Sequence, residues 1–445
     1  MNLAVARLLL AALWLHGGAA ARAEPLAAML AKVYLTNPRL EAGRANLRAI
    51  DESVPQARAA RRPQVTATSS AAYNVTGEAL PSQRQALNVT QSIYDGGAAK
   101  ASTRLAEAGV HAERARLMLL EQDVLLEAIT AYTAVARNRQ VLELASANEE
   151  RLRVQLDATR DRERFGDVTK TDIFQAESRY AGAIAARIAA EGAVKVSAAD
   201  YRRLTGEWPD RLELPPAPDE ATASLDEALA QSDASWEWQA ASLELAAAHD
   251  AVNVTLAGLK PSLSLGGQVG YAMGDGGYDR SGGNAAIGAT LTVPLYRGGG
   301  EYARVRQSKE ILSQRRYGRD DARRSVEAAI TSAWEAARTN EATIRSIQRQ
   351  VDAAAFAVDG VRQEALVGAR TVLDVLDAEQ ELFAAEVDLV RAEGEHVLTA
   401  YRLRAAVGRL TASDLELEVA RYDPEDHYRD VQGRWFGLGP KVEAE

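Results

Sequence analysis

Two kinds of hydrophobic pattern alternate along this chain, and each occurs twice. Short segments with apolar residues at every second position read as β-strands. They are Gln64–Val75 with Ala86–Tyr94, and Ser262–Tyr271 with Asn284–Tyr296. Leu87, Val89 and Ile93 show the period in the first pair, and Ile287, Ala289, Leu291 and Val293 show it in the second. Each pair is followed by a very long Pro-free stretch rich in Ala, Leu, Glu and Arg: Ala98–Arg164 and Glu301–Leu366. At 1.5 Å per residue, each predicts a helix of about 100 Å, longer than a globular domain needs. A shorter helix returns over Thr171–Thr205 and over Thr371–Arg409. A further helix precedes each strand pair, Ala27–Arg61 and Ser235–Leu259, and stops before Pro63 and Pro261, since proline removes a donor and clashes with the preceding turn.

The duplication is visible residue by residue. Ile93-Tyr94-Asp95-Gly96-Gly97 matches Leu295-Tyr296-Arg297-Gly298-Gly299, and Phe165-Gly166-Asp167-Val168-Thr169 matches Val367-Gly368-Ala369-Arg370-Thr371. The offset stays constant from Tyr94/Tyr296 through Gly166/Gly368 to Gly206/Gly408. Helices packed side by side need equal lengths, and surface loops absorb insertions; the offset slips only between the strands of each half. The loop Met273–Gly283 is rich in Gly and Asp, as an exposed tip should be.

The N-terminus departs from both patterns. Arg7, the apolar run Leu8–Leu15 and Ala21-Arg22-Ala23 form a secretory leader, and the run is too short to span a bilayer. The expected organisation is a signal peptide over 1–23, a first repeat over 24–206, a Pro-rich equatorial connection over 207–232, a second repeat over 233–412 and an equatorial tail over 413–445.

Composition narrows the function. About a fifth of the 445 residues are Ala and only 6% are aromatic, which favours closely packed helices over several round cores. The absence of Cys excludes disulfides, thiol catalysis and a lipidated Cys. The net charge of −10 argues against nucleic acid, because no basic excess exists to replace counterions. His16, His111, His249, His396 and His427 are scattered, and no metal-spacing motif, P-loop or nucleophile elbow appears. No enzyme, metal or cofactor is expected.

Four strands cannot close a barrel by themselves, since about eight is the practical minimum. Three copies would supply about twelve, within the range of outer-membrane barrels. The alternative is a small soluble sheet. Tyr94, Gly96, Gly97, Tyr296, Gly298 and Gly299 stand where strand becomes helix. Glycine tolerates the turn and the tyrosines suit a membrane boundary; ordinary Gly turns with Tyr packed nearby are the other possibility.

The duplicated Pro-strand-strand-Gly-Gly-helix unit, Tyr94-Asp95-Gly96-Gly97 and the run Gly368-Ala369-Arg370-Thr371-Val372-Leu373-Asp374-Val375-Leu376-Asp377-Ala378 resemble the TolC family of outer-membrane channels of Gram-negative bacteria, over nearly the whole mature chain. The resemblance implies a mainly α protein with transmembrane β: a homotrimer with a 12-strand barrel in outer-membrane lipid, continued by an α-helical periplasmic tunnel. It also implies two partners, a periplasmic adaptor and an inner-membrane ATP-binding cassette exporter or proton-driven pump. The tail Tyr422-Asp423-Pro424-Glu425-Asp426-His427-Tyr428 with Trp435-Phe436-Gly437 is similar to channels of type I protein secretion. A multidrug efflux channel is the runner-up, and a soluble periplasmic coiled-coil adaptor is the reading from another class.

Within that resemblance, Asp374 and Asp377 fall at the periplasmic aperture, where threefold symmetry would stack two carboxylate rings that attract cations. Arg370, Asp172 and Thr171 fall at the gate latch. Ala365 replaces a family Tyr of that latch. The residues alone also allow a plainer reading. Thr169-x-x-Asp172 and Thr371-x-x-Asp374 have capping-box spacing, and an Arg370–Asp172 pair could be merely solvated.

Overall fold

The computed structural model describes residues 24–74, 80–218, 224–273 and 282–439. The leader and most of the predicted loop Met273–Gly283 lie outside the described residues. Three helices come first: α1 (Leu26–Thr36), α2 (Pro38–Asp51) and α3 (Ser53–Ala59). Strands β1 (Gln64–Asn74) and β2 (Leu80–Tyr94) follow, then α4 (Ala98–Arg164) and α5 (Lys170–Thr205). The short α6 (Leu225–Ala230) precedes a second series, α7 (Trp236–Ala257), β3 (Ser262–Met273), β4 (Gly282–Thr292), α8 (Gly300–Leu366) and α9 (Val372–Ala406). A last helix, α10 (Asp426–Val431), lies in the tail.

The two long helices have the same length, 67 residues each. Three expectations are corrected. The first helix is not continuous over Ala27–Arg61: Asn37 is extended, with φ −71° and ψ 122°, because the residue before a proline is pushed out of the helical region. Pro38 then opens α2 at the position where its missing N–H costs nothing. Strand β2 starts at Leu80 rather than Ala86, since the polar run Ser82–Gln85 hides the alternation. Strand β4 ends at Thr292, two residues before Pro294, and not at Tyr296.

Contacts divide the chain into two units, each taking pieces of both repeats. One comprises residues up to 41, 120–235 and 326–421; the other comprises 42–119, 236–325 and the chain from 422 onward. In the first unit, Met29, Leu30 and Val33 of α1 pack with Leu125, Ile129 and Val135 of α4, together with Leu204, Leu398 and Leu410. Burial of such side chains contributes roughly 1.5–3 kcal/mol each. Two buried tyrosines tie Glu24 to this core. Tyr132 Oη donates to the Glu24 carbonyl at 2.6 Å, and Tyr201 Oη donates to Glu24 Oε2 at 2.9 Å. The buried Glu121 accepts from the Ala412 N–H at 2.7 Å, so the segment after α9 is held on α4.

The second unit contains one antiparallel sheet in the order β1-β2-β3-β4. The register sorts its side chains into two faces, since directly opposed residues point the same way. Val65, Val89, Gly267 and Ile287 form one row, and Ala67, Leu87, Val269 and Ala285 form the next. The opposite face carries Thr66, Asn88 and Gln268, then Thr90, Ser264, Thr290 and Asn284. On the apolar face, Gln83, Gln85 and Gln91 appear towards the ends. Arg84 is the sole charged residue of the four strands, and it lies on the polar face, opposite Ser70 and Ala272. Strands β1 and β4 are the edges of this sheet and do not pair with each other.

The two strand-to-helix junctions share a backbone path and differ in packing. Gly96 and Gly97 have φ of +71° and +93°; Gly298 and Gly299 have +69° and +83°. A Cβ on Gly96 would stand 2.7 Å from both the Ala257 carbonyl oxygen and Lys260 Cβ, whereas one on Gly298 would meet nothing within 4 Å. Asp95 completes the first corner: its carboxylate accepts from the N–H groups of Gly97 at 3.0 Å and Ala99 at 2.6 Å, capping α4. Gly298→Ala is expected to cost about 1–2 kcal/mol, the penalty of left-handed backbone alone. Gly96→Ala adds a backbone clash and should lower the melting temperature and the folded yield clearly more. Equal losses for the two variants would refute this asymmetry.

Candidate functional site

The candidate site comprises the two turns that join the long helices to their return helices. Both turns lie in the first unit. Their conformation repeats because their sequence does. Gly166 and Gly368 take φ of +80° and +75°, ending α4 and α8 with the left-handed residue that closes a helix. Thr169 and Thr371 then stand as N-caps with ψ of 162° and 163°, each in a complete capping box. Thr371 Oγ1 accepts from the Asp374 N–H at 3.2 Å. Asp374 Oδ2 in return accepts from the Thr371 N–H at 2.9 Å and from its hydroxyl at 2.8 Å. Asp172 makes the same bonds to Thr169, at 2.7 Å and 2.8 Å.

Beneath the turns a small core joins three helices: Leu152 and Leu156 of α4, Ala176 and Ala183 of α5, Val372 and Leu376 of α9. Ion pairs surround it. Arg160 reaches Glu177 at 2.7 Å between α4 and α5, and Arg362 reaches the buried Glu379 at 2.9 Å between α8 and α9. Arg179 of α5 meets Asp377 of α9 at 2.5 Å, so this pair bridges the two repeats. Both partners are about half exposed, and such a pair adds at most about 1 kcal/mol.

The predicted residues therefore divide. Asp374 is a capping carboxylate, and the Thr371 N–H and hydroxyl hold its pKa below the usual carboxylate range. Asp377 is one turn further on and is engaged by Arg179. Arg370 donates to Glu364 at 2.8 Å, and Asp172 is occupied in its own cap. The chain does not bring Arg370 and Asp172 together. Thr171 is exposed in the first turn of α5, and Ala365 is buried near the end of α8. Sequence reasoning missed Arg179, whose partner is set by tertiary packing, and Glu364, which meets Arg370 six residues on across the Gly368 turn. It also passed over Phe165, Leu366 and Val367, which stand 80–84% exposed at the turns. The repeat held a signal for two of these, because Phe165 and Val367 are matching positions.

A four-stranded sheet with one apolar face, one polar face and two open edges, continuous with paired helical hairpins of matched length, defines the class: an outer-membrane channel fold whose barrel needs several chains to close. The chain belongs to the outer membrane efflux protein family, which it matches over residues 30–207 and 223–409. It is similar to outer membrane efflux protein BepC of Brucella suis, with 37% identity covering 95% of this chain and 93% of that protein. Its similarity to the alkaline protease secretion protein AprF of Pseudomonas aeruginosa is 28%, covering 76% and 72%. Among solved structures, the outer membrane protein VceC of Vibrio cholerae shares the fold, with a TM-score of 0.76 at 20% identity, covering 86% of this chain and 96% of that one.

The capping geometry has a pH signature. A carboxylate with a depressed native pKa contributes stability above its unfolded pKa and loses it as pH falls through the native value. The Asp374 cap is thus fully present at neutral pH and is lost only in acid, below the ordinary carboxylate range. Thr371→Ala should weaken the cap by about 1 kcal/mol. Hydrogen exchange at the start of α9 should speed up roughly five-fold at neutral pH. An unchanged exchange rate at neutral pH would show that the cap does not hold this turn.

Proposed function

We propose that three copies of this chain close a 12-strand barrel in the outer membrane of a Gram-negative bacterium and continue it as a helical tunnel in the periplasm, so that the trimer is the exit duct of a tripartite export system. The observation that carries the proposal is the sheet. Its open edges β1 and β4 would each pair with a neighbouring copy, its apolar face suits lipid, and its polar face suits a water-filled lumen. Such barrels need strands of about 9–11 residues, and these strands have 11, 15, 12 and 11 residues.

In this reading residues 1–23 are the export signal. Residues 24–206 and 233–412 are equivalent repeats, 207–232 and the first part of the 413–445 tail form the equatorial girdle, and the last part of that tail runs back to the residues that open the sheet. Tyr94 and Tyr296 mark the membrane boundary, and the glycine pairs after them turn the chain from barrel to tunnel. The helix turns form the periplasmic entrance. Asp374 and Asp377 line its aperture as two three-membered rings, and Arg370 reaches Asp172 and Thr171 of a neighbouring copy to latch it. The exposed Phe165 and Val367 offer apolar contacts to a periplasmic adaptor. An inner-membrane exporter or proton-driven pump supplies the energy, and no covalent chemistry falls to this chain.

Two cargo classes fit the duct. Protein secretion is supported by the tail motif and by the likeness to AprF, a secretion protein by name. Small-molecule efflux is supported by the likeness to BepC, an efflux protein by name. The tunnel serves either, because the inner-membrane partner selects the cargo.

Two measurements test the duct. Purified protein should run on gels as a heat-modifiable trimer, and a strictly monomeric species in mild detergent would defeat the proposal. In planar bilayers, hexaamminecobalt(III) added on the periplasmic side should block the wild type. The double variant Asp374→Ala/Asp377→Ala should lose that block, and Arg370→Ser should raise single-channel conductance. Block that persists in the double variant would exclude the carboxylate rings.

A further inference from the structure

The last described segment of the chain is bonded to residues just before the sheet. After α10 it runs back to the residues that open the sheet. Arg58 Nη1 donates to the Gln432 carbonyl at 2.8 Å, and Arg62 Nη1 donates to the Arg434 carbonyl at 2.7 Å. The Arg62 guanidinium also lies over the Trp435 ring, 4.7 Å from its centroid. Arg62 is two residues before β1, whose first apolar side chain, Val65, is itself exposed. The tail is thereby pinned at the level where the sheet begins.

At that level the tail presents a surface that water does not explain. Trp435 is 59% exposed, Phe436 88% and Leu438 fully exposed. Three large apolar side chains within four residues are held outward, and Gly437 and Gly439 at φ of +106° and +77° set the path of the chain around them. Arg61 and Arg434 are exposed beside them, and Arg62 is half-buried. A chain of net charge −10 therefore concentrates positive charge next to an apolar wedge. Tryptophan favours the boundary between water and hydrocarbon, and basic side chains are drawn to anionic headgroups.

We propose that Trp435, Phe436 and Leu438 insert into the inner leaflet of the outer membrane, and that Arg61, Arg62 and Arg434 bind the phosphate of an anionic glycerophospholipid there. The occupant is a lipid and not a second protein, on two grounds: the patch is tied to Arg62, two residues before the edge strand β1, and its charge complements a phospholipid headgroup. The C-terminal segment thus anchors each chain at the membrane boundary, on the edge-strand side of the sheet. The inference rests on the sheet being membrane-spanning, as proposed above.

The test uses full-length protein reconstituted into phosphatidylethanolamine vesicles containing phosphatidylglycerol, with bromine on the acyl chains of one lipid or the other. Trp435→Phe isolates the emission of that residue by difference and is a mild change for the fold. The Trp435 emission should be quenched by brominated lipid. The double variant Arg61→Gln/Arg434→Gln should weaken quenching by brominated phosphatidylglycerol roughly five-fold per arginine, the factor for about 1 kcal/mol per basic side chain. Quenching by brominated phosphatidylethanolamine should not change. Unquenched Trp435 in vesicles that hold heat-modifiable trimer would overturn the anchor while leaving the duct intact. So would loss of the trimer in Trp435→Ala without any quenching in the wild type, which would mean that a neighbouring copy covers the patch. Failure of the protein to enter vesicles at all would overturn the membrane-spanning sheet itself, and the anchor with it.

Discussion

An unpaired peptide group inside hydrocarbon costs several kcal/mol, and this chain builds a sheet with two unpaired edges. Everything else in the molecule is arranged around that debt. The face pattern is amphipathic in the sense required for a lipid exterior and a wet interior. The strands hold a single charge, Arg84, and it is on the polar face. One chain cannot satisfy β1 and β4, because four strands with ordinary twist do not meet end to end. Closing the sheet into a barrel would need strands from further chains, which is the basis of the proposed trimer.

The duplication lets one chain meet that requirement with few inventions. The same turn chemistry is used twice, a left-handed glycine followed by a Thr–Asp capping box. The two copies have since diverged in their surroundings. The Gly96 corner is filled by the Ala257 carbonyl and the Lys260 side chain, and the Gly298 corner is open within the chain. At the tips, the pair that crosses between repeats is Arg179–Asp377. That pair is individually weak, and the core of Leu152, Leu156, Ala176, Ala183, Val372 and Leu376 beneath it also joins the two repeats.

Much of this was legible before any coordinates. The long helices, the turns and the capping boxes follow from periodicity, from glycine positions and from Thr-x-x-Asp spacing, and they agree with the structure to within three residues. Boundaries failed where one residue overrode a broad pattern. Pro38 split a helix whose amphipathic pattern ran on, Pro294 ended β4 early, and Ser82–Gln85 extended β2 without alternating. Asp377 was legible as an acid on the face of Asp374, but its partner was not, because Arg179 stands 198 positions away in sequence. The exposed aromatic end of the tail was equally illegible. The sequence reading placed it in an equatorial tail, and only the bonds from Arg58 and Arg62 show where Trp435 is held.

The equal lengths of α4 and α8 set what evolution can edit. Removing one residue from a helix turns everything beyond it by about 100°, so the buried stripe of a 67-residue helix would spiral away from its neighbours. A deletion in α4 could be rescued only by matched changes in α5, α8 and α9, a coincidence too rare to sample often. Length variation in descendants of this gene should then collect at the strand tips and in the connection between the halves. The helical half acts as a ruler whose divisions no single mutation can rewrite.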